Sequence, residues 1–184
     1  SLEEVLRAVR KLAEDVKRKN KEVLDRIRDS SRRSEEKLED SLRKIEELVR
    51  KLEEELKRDG ADERLAEELR EILDRVRKEH KRLVEENRRV VKKVEDEHRK
   101  SEEELDRIVD ELRRRVEELR KRGGVDEDLK RLLEEIKRVL EESEEKVERS
   151  LREMEEVDKE TEKRSRKLNR EVREVVKDVA DKVR

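Results

Sequence analysis

The sequence predicts an all-α fold: an antiparallel, up-down-up bundle of three very long, nearly straight helices. Three observations predict it. Apolar residues return every three or four positions along almost the whole chain, which is the period of one helix face. That pattern breaks at only two short places, and all three glycines of the chain lie there. Between the breaks there is no proline, no cysteine and no aromatic residue, and Glu, Lys, Arg and Leu dominate, the composition of long packed helices.

The first helix is expected over about 2–58. Ser1-Leu2-Glu3-Glu4 is a capping-box pattern, in which a hydroxyl and a carboxylate satisfy amides left free at a helix start. The inward series runs Val5, Val9, Leu12, Val16, Asn20, Val23, Ile27, Ser31, Ser34, Leu38, Leu42, Ile45, Val49. Its steps of four, three and four suggest an eleven-residue repeat of about 3.67 residues per turn, hence a straight or slightly right-handed bundle. Leu6, Ala13, Leu24 and Leu48 widen the apolar face to somewhat over about 100°, which suits a globular bundle and leaves room for a further helix from a partner.

The first break is Arg58-Asp59-Gly60-Ala61-Asp62-Glu63. Gly60 suits the left-handed residue that closes a helix, and Asp62 can cap the next. The second helix, about 62–122, carries the same stripe through Leu65, Leu69, Ile72, Val76, His80, Leu83, Asn87, Val91, Val94 and His98. At the second break, Gly123-Gly124-Val125-Asp126-Glu127-Asp128, Asp126 is the expected cap, with two more acids favoured by the helix dipole. The third helix, about 127–184, follows less strictly through Leu132, Ile136, Val139, Ser143, Val147, Ser150 and Met154. Each helix would be roughly 87 Å long at about 1.5 Å per residue, and the short connections force neighbours to run antiparallel. Residues 1–184 are thus expected to form a single three-helix domain.

Charge excludes some functions. Of 184 residues 61% are charged, but the net charge is only −2, so there is no strong single-sign field to capture nucleic acid or an anionic membrane. Arg113, Arg114 and Arg115 form the densest basic run, yet acids surround them and no aromatic is present for base stacking. They read as a solvated helix face. No apolar run exceeds two residues, too short for a membrane span or a secretion signal.

Polar residues interrupt the stripe, and they line up. A hairpin near residue 60 sets position i of the first helix opposite position 120 minus i of the second, and facing positions of the second and third helices sum to about 247, because all three rise equally. Asn20 then lies level with His98 and Ser101, and these with Ser143 to Ser150. Ser30, Ser31 and Ser34 lie level with Asn87 and Thr161. Ser41 lies level with His80, and His80 with Ser165 and Asn169. Any one serine is better read as exposed, or as bonded back to its own helix. Three coincident layers point instead to interhelical hydrogen-bond networks that fix register, since clustering spares each buried group the roughly 1–3 kcal/mol cost of standing unpaired.

Chemistry finds little support. His80 and His98 lie about 27 Å apart along one helix and cannot share a metal. Glu95-x-x-His98 matches half of a di-iron motif, but His80 has Arg77 at the matching place. The serines sit mid-helix, without an amide nest for an oxyanion or an aromatic wall for a pocket, and Gly123-Gly124 is followed by acids, not by the lysine of a phosphate loop. No catalytic residue, metal, cofactor or small-molecule substrate is therefore expected. Inward, neutral His80 and His98 would make stability fall as pH drops through the range of histidine protonation, which leaves a pH-responsive switch as an alternative.

In its repeated Leu/Val/Ile spacing, near-equal helices, DGADE and GGVDED loops, Glu/Lys/Arg surface and three polar layers, the chain resembles de novo designed helical bundles with built-in hydrogen-bond networks. The resemblance implies a scaffold, a homo-oligomer or one half of a designed heterodimer, without a natural biochemical function. The short apolar runs lead one to expect a soluble chain without a targeting signal, consistent with recombinant expression in the cytoplasm, and the sequence leaves its compartment unknown. A natural coiled-coil spacer similar to spectrin-type repeats is the other alternative, against which stand the missing aromatics and the uninterrupted helices.

Overall fold

The computed structural model describes residues 2–58, 60, 63–123 and 126–183, with the side chains of 126, 128, 129 and 183 left undescribed. Three helices account for nearly all of them: α1 (Leu2–Arg58), α2 (Glu63–Arg122) and α3 (Asp126–Val183). The fold is an all-α three-helix bundle, as the apolar period predicts. Gly60 and Gly123 adopt φ of 61° and 76°, the left-handed conformation that ends a helix without a side-chain clash. The caps expected of Ser1, Asp62 and the Asp126 side chain lie outside the described residues. Glu3 and Glu4 in the first turn of α1, and Lys57 and Arg58 in its last, complement the helix dipole.

The chain forms two compact units, each built from all three helices. The first comprises Ser1–Arg28 and Val91–Met154, the second Asp29–Val90 and Glu155–Arg184. The core of the first is Val9, Leu112, Val116, Leu132 and Ile136. The core of the second is larger: Ile45, Val49, Leu52 and Leu56 of α1 meet Leu65, Leu69, Ile72 and Val76 of α2 and Val172 and Val179 of α3. Each such side chain contributes about 1.5–3 kcal/mol by leaving water.

Near the start of α1 the inward positions differ in phase from those the sequence suggests. Leu12, expected inside, is 50% exposed, and Ala13 takes the core position at 6%. From Val9 the inward positions step through Ala13, Val16, Asn20 and Leu24 to Ile27. The same steps of four, three, four, four and three then lead through Ser31, Ser34, Leu38 and Leu42 to Ile45. Eighteen residues in five turns is 3.6 per turn, the natural period of the α-helix. Between Val9 and Ile27 the same steps come in a different order from the expected one, which turns Leu12 out to solvent and brings Leu24 in ahead of the half-buried Val23.

Candidate functional site: polar layers in the bundle core

Each unit carries its own polar layers. In the second unit Asn87 of α2 is fully buried and serves both neighbours. Its Nδ2 donates to Ser34 Oγ on α1 at 3.2 Å, and its Oδ1 accepts from Thr161 Oγ1 on α3 at 3.3 Å. Equal helical rise places residue 86 opposite Ser34; the observed partner is one position away. Ser31 is buried one turn from Ser34. An amide suits this point because it offers a donor and an acceptor in opposite directions.

Two further bonds join α1 to α3 in this unit. Ser41 Oγ donates to Asn169 Oδ1 at 3.0 Å, and Ser30 Oγ donates to Asp158 Oδ2. Together with Ser165 these residues line an open cavity of about 380 Å³. The second oxygen of Asp158 is buried and has no partner. His80, expected in the layer of Ser41 and Asn169, is only half-buried, and its Nε2 is buried without a partner. Asn169 and Ser41 satisfy one another, and His80 is left outside their bond.

The layer of the first unit centres on Ser143 of α3. Its hydroxyl accepts from Asn20 Nδ2 of α1 at 3.1 Å and lies 2.9 Å from Ser101 Oγ of α2, so all three helices meet at one oxygen. Ser150 Oγ shares its single hydrogen between Glu97 Oε2 at 3.2 Å and the Lys146 carbonyl at 3.0 Å. His98 stays apart: its Nε2 is 3.2 Å from Glu102 Oε1, one turn along its own helix. Asp158, Glu97 and Glu102 complete these contacts and are absent from the residues the sequence singles out. Asp158 alone left a signal, since it stands eighteen residues, five whole turns, from both Leu140 and Val176, where an apolar residue would be expected.

Each interhelical bond contributes on the order of 0.5–1.5 kcal/mol net, while a stranded partner costs about 1–3 kcal/mol. The layers therefore matter most through what misalignment would expose. Around them, ion pairs fasten the surface. Glu35 holds Arg88 at 3.0 Å, and that hydrogen bond and charge raise the guanidinium above its ordinary pKa. Among the described residues no group of three or more His, Asp or Glu is placed to hold a metal ion, and no helix is long and apolar enough to cross a membrane.

Comparison of the chain with known protein families, with curated proteins and with solved structures gives no match.

Proposed function

We propose that this chain is a structural assembly scaffold of de novo design, whose polar layers set the register and the partner choice of its helices. The Asn87 bridge carries the reading. A slip of one helical turn would part its amide from Ser34 and Thr161, stranding three polar groups at about 1–3 kcal/mol each. A core of leucine and valine alone would tolerate that slip, so the layer supplies specificity that apolar packing lacks. The hydroxyls of Ser30, Ser34, Ser41, Ser101, Ser143 and Ser150 are engaged in hydrogen bonds, and the reading gives them no catalytic role. It assigns no cofactor, metal, nucleic acid or membrane. Its partners are helices, in a second copy of the chain or in another designed chain.

Spin-label distances between α1 and α2 test this. In Asn87→Val/Thr161→Val they should broaden or shift by about one helical turn, roughly 5.4 Å. An unchanged, narrow distribution would remove the specificity role.

A second reading, opening of the bundle on histidine protonation, is favoured by one atom, the buried and unpartnered Nε2 of His80. Light scattering and circular dichroism at pH 7.5 and pH 5 decide it: constant mass and helicity, in parent and His80→Leu alike, would eliminate the switch.

A further inference from the structure

The three seams of the bundle are not closed alike. In the first unit ion pairs cross from α1 to α2 at Arg28–Glu95 and Lys17–Asp106, and from α2 to α3 at Lys93–Glu153 and Arg115–Glu135. In the second unit they cross at Glu35–Arg88 and Glu46–Arg77, and at Glu86–Arg164 and Arg75–Glu171. No ion pair between described residues joins α1 to α3 in either unit.

That third seam is built differently. In the second unit α1 presents Ser30, Ser41 and Leu48, at steps of eleven and seven, and α3 presents Asp158, Asn169 and Val176 at the same steps. The bonds Ser30–Asp158 and Ser41–Asn169 set one constant offset, which brings Leu48 level with Val176. Leu48 is 38% exposed, while Val176 is half-buried against the core. Leu48 is the exposed large hydrophobic residue among those described in this unit, and Leu12 and Leu133 are those of the first unit. A closed three-helix bundle would carry lysine and glutamate at such positions.

The lining of the second unit's groove says what would fill it. Arg33 and Lys37 border the cavity, and neither is in an ion pair among the described residues. Glu162 is paired with Arg166 at 2.7 Å, and Asp158, which accepts from Ser30, leaves one negative charge against these two positive ones. The free charge at the rim is therefore positive, and a second copy apposed in parallel would meet its own Arg33 and Lys37. Asp158 Oδ1, buried and unpartnered, lacks a hydrogen donor. The cavity is lined from Ser30 to Ser41 on α1 and from Asp158 to Asn169 on α3, about 16 Å or three helical turns, and Leu48 and Val176 stand two turns beyond it.

We propose that the α1/α3 seam of the second unit seats a fourth helix supplied by another chain: acidic beside Arg33 and Lys37, apolar opposite Leu48 and Val176, and bearing a hydroxyl or amide donor level with Asp158. This deepens the assembly reading and rests on it. The probe is a fluorescent synthetic helix of 25 residues with leucines on its inner face, one asparagine among them and glutamates on its flanks, added to the full chain and followed by anisotropy. Saturable binding is expected, weakened at least tenfold by Leu48→Glu and by Arg33→Glu/Lys37→Glu, with a lysine-flanked version binding at least tenfold more weakly. All three substituted side chains are solvent-exposed, and circular dichroism confirms that the variants fold. Absence of binding, equal binding of the lysine-flanked helix, or indifference to Leu48→Glu would overturn the proposal. So would a dimer of the chain alone that Leu48→Glu dissociates, since a second copy would then be the occupant. The spin-label result on Asn87 and Thr161 is read without any peptide, so either idea can fail alone.

Discussion

Asn87 and Thr161 face each other across α2 and α3 at 3.3 Å, and the same Asn87 amide reaches Ser34 on its other side. One side chain therefore serves two partners, and removing it strands both. Asn87→Ala should lower the unfolding free energy by about 2–4 kcal/mol, the sum of a lost buried side chain and unpaired hydroxyls. The triple replacement Ser34→Ala/Asn87→Leu/Thr161→Val should recover most of that loss, because removing all partners together leaves nothing unsatisfied. Urea denaturation measures both; a triple variant less stable than Asn87→Ala would contradict the account.

Ile27 and Leu12 lie on the same helix with opposite burial, 0% and 50%. Ile27→Ala should cost about 2–5 kcal/mol through lost transfer energy and the cavity left behind. Leu12→Lys should stay within about 0.5 kcal/mol of the parent. Equal losses at the two sites would restore Leu12 to the core.

His80 invites the opposite change. Its Nε2 is buried without a partner, and a leucine there removes that unpaired atom while keeping apolar contact. His80→Leu should raise stability by about 1 kcal/mol, read as a higher urea midpoint at neutral pH. A lower midpoint would mean that the ring makes a contact worth more than the orphaned nitrogen costs.

At Gly60, with φ of 61°, an added Cβ meets nothing within 4 Å. The cost of Gly60→Ala is then conformational only, about 1–2 kcal/mol for a left-handed alanine. Asn, which tolerates that region, should cost less. Thermal melts of the two variants rank them, and a tie would show that the turn relaxes out of its left-handed geometry.

The Arg88–Glu35 pair gives a pH and salt prediction. Glu35 raises the Arg88 pKa, so whatever the pair contributes is present below the unfolded-state value and lost only as pH climbs through the still higher folded one. The stability difference between the parent and Arg88→Ala should therefore not change between pH 8 and pH 10. It should shrink in 1 M salt, where screening acts over about 3 Å. A difference that vanished at pH 10 would reverse the assignment.

The helices and their breaks were legible because period and glycine are local signals. The meeting of Ser34, Asn87 and Thr161 was legible for another reason: equal rise turns residue number into height, and height suffices when every helix contributes a polar group. Leu12 and Ala13 are adjacent apolar residues, a step of three or of four from Val9 fits either, and the larger side chain is the wrong choice there. His80 and Asp158 fail differently. They stand at heights where partners exist, but which atom reaches which is settled by side-chain direction around the helix axis, and Asn169 had already found Ser41.

The eighteen-residue return of the inward positions has a consequence for length. Five whole turns bring a helix back to its starting bearing, so inserting or excising eighteen residues in each of α1, α2 and α3 leaves every face pointing where it did. The molecule is in that sense a cassette: longer and shorter versions can be cut from the same pattern, with polar layers added or dropped one block at a time.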